Sequence, residues 1–156
     1  MMSEASKTIA SSRTILSQMM QPEQSNTQGN VHGGWIMKLV DEAGALACMR
    51  HAQHRVVTVA IDQMTFTHPI RIGDVVILEA EVSYVGRTSM EAEVKVYSEN
   101  PVTGERAATN TAYLVYVALD NEGVPVEVPE LKLETVKETE RFEKGKQRQS
   151  RRLANR

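Results

Sequence analysis

The sequence has little to tie it to a membrane, a nucleic acid or an oxidising compartment. One cysteine, Cys48, stands among 156 residues, so no disulfide can close within the chain and a cytoplasmic setting is expected. Neither sign of charge dominates: 18 Lys and Arg against 20 Asp and Glu leave a net charge of −2, with no global pull toward nucleic acid or anionic lipid. No uninterrupted apolar run reaches the roughly 18 residues that a membrane span needs. The opening MMSEASKTIASSR lacks the apolar core of a signal peptide. Also missing are a P-loop, a dinucleotide-binding glycine pattern, a metal-ligand cluster and a Ser-His-Asp constellation. No metal and no cofactor is therefore expected; His51 and His54 would meet at a metal only by chance convergence.

What is present is organised around Gly29 to Met49, GNVHGGWIMKLVDEAGALACM. From Trp35 onward this stretch is apolar nearly all round, and a helix of that kind must be enclosed by the rest of the fold. Asp41 breaks the rule, because it shares a face with Met37, Gly44 and Ala45. A carboxylate there needs a hydrogen-bonding or charged partner, a path to water, or a chemical role. Lys38 lies three residues before it and could pair with it, though Lys38 reaches Glu42 equally well.

Along the chain, residues 1–12 read as a flexible N-terminal arm. Thr14 to Met20 could form a short strand, and QPEQSNTQGN (residues 21–30) reads as loop. A helix is expected from Gly33 or Gly34 to about Ala52, ending among Arg50, His51, Gln53 and His54, where positive charge suits the helix dipole. The period then changes from 3.6 to 2. Val57, Val59 and Ile61 alternate, and a phase slip toward Met64 and Phe66 suggests a bulge near Asp62 and Gln63. Two further alternating runs cover Val76–Tyr84 and Ser89–Val96, and Ala107–Leu119 is apolar on both faces toward its end, as a central strand would be. Short connections make successive strands antiparallel neighbours. The expected class is α+β, a curved antiparallel sheet of about five strands wrapped around one long central helix, with an open sheet edge for a second copy. Residues 134–156 form a charged C-terminal helix or tail. Its plain reading is a solvated helix in which Gly145 weakens continuity; its sharper reading is a basic arm for a phosphate-bearing ligand or an acidic neighbour.

The run GNVHGGWIMKLVDEAGALA, followed by FTHPIRIGD and SYVGRTSMEAEVKV, resembles the hotdog-fold acyl-CoA thioesterases, in particular the bacterial acyl-CoA hydrolases related to the brain cytosolic acyl-CoA hydrolase. The resemblance covers about residues 10–120 and places a hotdog domain over residues 13–133. It implies hydrolysis of acyl-CoA to a free carboxylic (fatty) acid and CoA. Desolvation in an apolar enclosure makes a carboxylate a better base, so Asp41 is the candidate that activates water or attacks the thioester carbonyl itself. Amides at the start of the helix lack intrahelical acceptors, and the family pattern gives one of them the oxyanion role; Gly34 is the first choice and Gly33 the second. The same pattern sets Asn30 opposite Asp41 of a neighbouring subunit, a composite site. His32 is a loop-shaping residue and a candidate contact with substrate. Arg87, Thr88 and Ser89, after Gly86, suit the pantetheine and phosphates of CoA.

Two other readings compete. A hotdog hydratase would carry a histidine five residues after the aspartate, where this chain has Leu46, and a dehydratase wants a loop histidine that His32 only loosely matches. A non-catalytic acyl-CoA-binding protein would have no need of Asp41. The partners implied by the resemblance are the acyl-CoA substrate and further copies of the chain, a dimer assembling to a hexamer as a trimer of dimers. Neither nucleic acid nor membrane is among them.

Overall fold

The computed structural model describes residues 6–155. In chain order its elements are β1 (Ser6–Thr8), β2 (Thr14–Met19), α1 (Gly33–Ala52), β3 (Arg55–Ile61), β4 (Val75–Val85), β5 (Ser89–Glu99), β6 (Arg106–Leu119), β7 (Glu130–Lys132) and α2 (Val136–Ala154). Five strands make one antiparallel sheet in the order β2-β4-β5-β6-β3. Its inner face holds α1, the expected hotdog arrangement of a helix inside a curved sheet.

The helix fits because its sheet-facing positions are small or slender. Ile36, Val40, Ala43, Ala47 and Cys48 are all buried, against Leu78, Val82, Ala92, Val94 and Leu114 of the strands. Such a helix buries apolar surface worth about 25 cal/mol per Å², which offsets the ordering of its backbone. Its start is fixed by His32, whose ring accepts from the Gly34 amide, and its end by Gln53 in a left-handed conformation at φ 57°. Gln53 also donates from its side chain to the Arg50 carbonyl at 3.0 Å, satisfying a carbonyl of the last turn.

Several expectations need correction. Of the arm expected over residues 1–12, residues 1–5 lie outside the described residues. The rest is docked: Ser6–Thr8 pair in parallel with β7, and the buried Ser12 side chain accepts from the Val82 amide at 2.9 Å. The bulge of β3 falls between Thr58 and Ala60, not near Asp62 and Gln63, and the strand ends at Ile61. The slip was read from Met64 and Phe66, which belong to the irregular segment after the strand. The row Val57, Val59 and Ile61 is 44, 47 and 39% exposed, while Val56 packs on the core. Alternation identified the strand but not which face is covered in a single chain.

The tail also differs from a solvated helix. Thr135 caps α2 through the Glu138 amide, and the helix runs unbroken through Gly145. That residue is buried because a Cβ there would lie 2.6 Å from Tyr84 Cβ and 3.0 Å from Glu91 Oε1. The glycine lets the helix approach the outer face of the sheet. The acidic neighbour of the basic arm is the chain's own sheet. Arg141 bonds Glu81 at 2.7 Å and Glu93 at 3.1 Å; Arg148 grips Glu91 at 2.9 and 2.7 Å; Arg152 reaches Asp62 at 2.8 Å and Glu91 at 2.7 Å. Burial works to raise the Glu91 carboxyl, but the bonds from Arg148, Ser83 and Arg152 outweigh it and hold the group below its ordinary range.

Candidate functional site

Asp41 sits on α1, half-buried, where the helix faces the paired strands β3 and β6. Its Oδ1 accepts from Thr58 Oγ1 at 2.9 Å and from the Tyr116 hydroxyl at 2.9 Å. The Tyr116 oxygen is also 2.9 Å from the Asp41 carbonyl. Among the described residues no hydrogen bond reaches Oδ2. The pairing with Lys38 is not made: Lys38 Nζ lies 3.0 Å from Glu42 and over the Trp35 ring. Asp41 is thus a carboxylate with one oxygen saturated and the other open.

Tyr116 is fully buried. Burial, its hydrogen bond to Asp41 and the Asp41 charge push its hydroxyl far above the ordinary tyrosine range, so it stays a donor. Gly44 makes the contact possible, since a Cβ there would lie 2.6 Å from the Tyr116 oxygen. Neither Thr58 nor Tyr116 was among the residues that the sequence singled out. Thr58 is the one polar residue inside the apolar run Val56–Ile61, a usable signal; Tyr116 stands in a run of buried residues and offers none. The mid-helix Gly44, three residues after Asp41, was the other available clue.

The helix start behaves differently from expectation. The Gly34 amide is occupied, donating to His32 Nδ1 at 2.9 Å. His32 therefore shapes the loop as a cap, and Gly34 is not a free oxyanion donor in this arrangement. Among the described residues the Gly33 amide has no hydrogen-bond acceptor, because the first helical bonds to the His32 carbonyl come from Trp35 and Ile36. Gly33 opens onto a groove whose lining includes Asn26, Asn30, Phe66, His68 and Ile70. The Phe66 ring packs 3.6 Å from where a Gly33 Cβ would be.

Asn30 lines that groove, but its backbone serves the loop: its amide donates to Asn26 Oδ1 at 3.1 Å, and its carbonyl accepts from the Asn26 amide at 2.7 Å. Gln28 also donates to Asn26 Oδ1, at 2.9 Å. With its oxygen held twice, the Asn26 carboxamide keeps its NH2 donors unengaged among the described residues. Asp41 does not line the groove. One chain therefore keeps the open carboxylate apart from the asparagine loop and the free helix amide.

The turn Gly86–Ser89 joins β4 to β5 and is firmly built. Gly86 donates to the Ser89 carbonyl, Ala118 to Thr88 and Val128 to Arg87, at 2.8, 3.1 and 2.9 Å. Its backbone acceptors are used, and the Arg87 side chain projects outward, 77% exposed and 3.8 Å from an equally exposed Glu127. The structure brings these residues neither to Asp41 nor into the groove of the same chain. Among the described residues no group of three or more His, Cys, Asp or Glu is placed to hold a metal ion. No described helix is long and apolar enough to cross a membrane.

The thioesterase superfamily model matches residues 28–105. An uncharacterized acyl-CoA thioester hydrolase of Bacillus subtilis is 37% identical over 127 residues, 81% of this chain and 74% of the relative. The rat cytosolic acyl coenzyme A thioester hydrolase is 36% identical over 143 residues; the match takes in 90% of this chain but only 38% of the rat protein. Among solved structures, an apo-hexameric acyl-CoA thioesterase superposes with a TM-score of 0.91 at 37% identity, covering 96% of both chains. A Staphylococcus aureus acyl-CoA hydrolase, solved with butyryl coenzyme A, coenzyme A and coenzyme A disulfide, superposes at 0.87 with 33% identity, covering 96% of this chain and 91% of that one. Alanine mutants of the same enzyme at an aspartate, a threonine and an asparagine have also been solved.

Proposed function

The chain belongs to the hotdog-fold acyl-CoA thioester hydrolases of the thioesterase superfamily, and on that premise we propose that Asp41 of one copy and the asparagine loop of another form the centre that cleaves acyl-CoA to a carboxylic acid and CoA. The observation that carries the assignment is the Asp41 carboxylate, with Oδ1 held by two hydroxyls and Oδ2 open. Oδ2 takes a proton from a water as that water attacks the thioester carbonyl, the general-base route.

The relative's mutants support the choice of partners. In the S. aureus enzyme the mutated threonine lies seventeen residues after the mutated aspartate, and the mutated asparagine fifteen before it. The same separations from Asp41 lead here to Thr58 and to Asn26. We therefore assign the asparagine role to Asn26, with Asn30 as the strut that aims it. The Asn26 NH2 donates to the thioester oxygen or to the attacking water, and the Gly33 amide, free at the helix N-terminus, supports the oxyanion. Thr58 orients the carboxylate. Arg87 meets the phosphates of CoA, with Thr88 and Ser89 beside it.

A composite site needs an assembly. The exposed row Val57, Val59 and Ile61 lies on edge strand β3, whose free side can pair with β3 of a second copy. Burying that row would remove an apolar edge that a lone chain leaves in water. Because relatives of this fold are described as hexameric, the proposed assembly is a hexamer built from such dimers. The cytosolic naming of the mammalian relatives supports a cytoplasmic location.

The test is thiol release from a panel of acyl-CoAs, short to long, by the wild type and by Asp41→Asn, which keeps shape and removes charge. The expected result is turnover by the wild type and a loss of about 100-fold or more in the variant. Undiminished turnover by Asp41→Asn would remove Asp41 from the chemistry.

A further inference from the structure

A carboxylate that works as a base needs one oxygen available and one orientation. Three features around Asp41 supply this. Tyr116 is a fully buried side chain whose hydroxyl is directed wholly at Asp41, 2.9 Å from its Oδ1 and 2.9 Å from its backbone carbonyl. Gly44 is a glycine in the middle of a helix, a position where it lowers helix stability. Any side chain there would collide with that hydroxyl, since a Cβ would lie 2.6 Å from the oxygen and 3.1 Å from ring carbon Cε2. Thr58, the third feature, donates to the same carboxylate oxygen from the opposite element, β3.

We propose that Tyr116 is a positioning residue for thioester hydrolysis: its hydroxyl, admitted by Gly44, locks the Asp41 carboxylate with Oδ1 inward and Oδ2 presented to the reacting water. The proposal rests on Asp41 being the base. Tyr116 touches neither substrate nor water and acts only through Asp41. A hydroxyl in the dry core makes a stronger bond than one in water, and a carboxylate oxygen is a strong acceptor for it. The groups facing Asp41 are few. Tyr116 comes from β6 and Thr58 from β3; Lys38 and Glu42, on its own helix, are paired with each other. Among the described residues no charged side chain bonds Oδ1.

Without the Tyr116 donor the carboxylate is free to turn, so the chemical step slows while substrate binding is kept; a loss of packing alone would not separate the two. The experiment measures kcat and KM for wild type, Tyr116→Phe, Gly44→Ala and Asp41→Asn, using the acyl-CoA that the wild type turns over fastest. Tyr116→Phe preserves the ring, and Gly44→Ala displaces the hydroxyl without removing it. Both are expected to lower kcat by about tenfold and to leave KM within about twofold. Either variant alone decides if the other does not assemble. Wild-type kcat in the folded variants, or a KM that rises in step with the fall in kcat, overturns the positioning role. If Asp41→Asn is inactive while Tyr116→Phe behaves as wild type, only this inference fails. If Asp41→Asn keeps its rate, the base assignment fails and the inference falls with it.

Discussion

Replacing Glu91 by glutamine removes one charge from beneath α2 and should loosen the whole outer layer. Glu91 is 1% exposed and accepts four short bonds: two from Arg148 at 2.9 and 2.7 Å, one from Arg152 at 2.7 Å and one from Ser83 at 2.7 Å. A glutamine has one acceptor oxygen, and its amide donors would face guanidinium donors. Breaking a buried ion pair from one side costs about 3–5 kcal/mol. Arg148 and Arg152 retain 15% exposure, and the residual water they can recruit puts the expected loss at the lower end, about 3 kcal/mol. For a chain of this size each kcal/mol shifts Tm by about 2–4 °C, so the variant should melt about 6–12 °C lower. Calorimetry at one fixed protein concentration is the assay, because assembly makes Tm concentration-dependent. The pH dependence has a definite sign. The Glu91 carboxyl is held below its ordinary range in the folded chain. Its contribution is therefore complete above the unfolded carboxyl value of about 4.3 and is lost as pH falls through the lower folded value. The difference between wild type and Glu91→Gln should be full at pH 7 and should close in strong acid. A difference under 2 °C at pH 7, or one of equal size at both pH values, would refute the reasoning.

Other changes separate packing from chemistry. Gly145→Ala would raise intrinsic helix propensity by about 1 kcal/mol, yet its Cβ would sit 2.6 Å from Tyr84 Cβ; a lower Tm with faster proteolysis of α2 is expected, and a higher Tm would contradict the docking. Arg87→Ala should raise KM for acyl-CoA by about fivefold, a figure set by an exposed charge contact of about 1 kcal/mol, with kcat unchanged and the effect fading in high salt. Val59→Asp on the free β3 edge should yield a smaller species by light scattering and abolish thiol release, since the site needs two copies. Single turnover in oxygen-18 water should place one heavy oxygen in the product acid if water attacks directly. An unlabelled product would reveal attack by the Asp41 carboxylate followed by hydrolysis at the Asp41 carbon.

The main architecture was legible because its determinants are local. A 20-residue, largely apolar helix bounded by His32 and Gln53, then strands of period 2 with short turns, leaves few ways to enclose the helix. The outer layer was less legible. Arg141, Arg148 and Arg152 follow one another around α2 in a run that resembles any solvated basic tail. Only the register of β4 and β5 shows that Glu81, Glu91 and Glu93 lie beneath them. Gly145 looked like a helix breaker because the side chains that approach it, Tyr84 and Glu91, are more than fifty residues away in sequence. In the site, Asp41 stood out as a carboxylate in an apolar run, whereas its holders Thr58 and Tyr116 come from strands whose facing sides depend on the β3 bulge and the sheet's curvature. The free amide was harder still. Choosing between Gly33 and Gly34 depends on the rotamer of His32, which no pattern of residue types reports.

The claim at the centre of this account is that each site is shared, with Asp41 from one copy and Asn26 from another. Mixing subunits tests it most directly. Asp41→Asn and Asn26→Ala chains, each with a different tag, are unfolded together, refolded and compared with each variant refolded alone, with heteromer formation verified by tandem purification. Random pairing makes half of the dimers mixed, and each mixed dimer holds one intact site of two. The account therefore predicts recovery of about one quarter of wild-type thiol release from two nearly inactive parents. A verified mixed assembly no more active than its parents would contradict it and would place the working residues within a single chain.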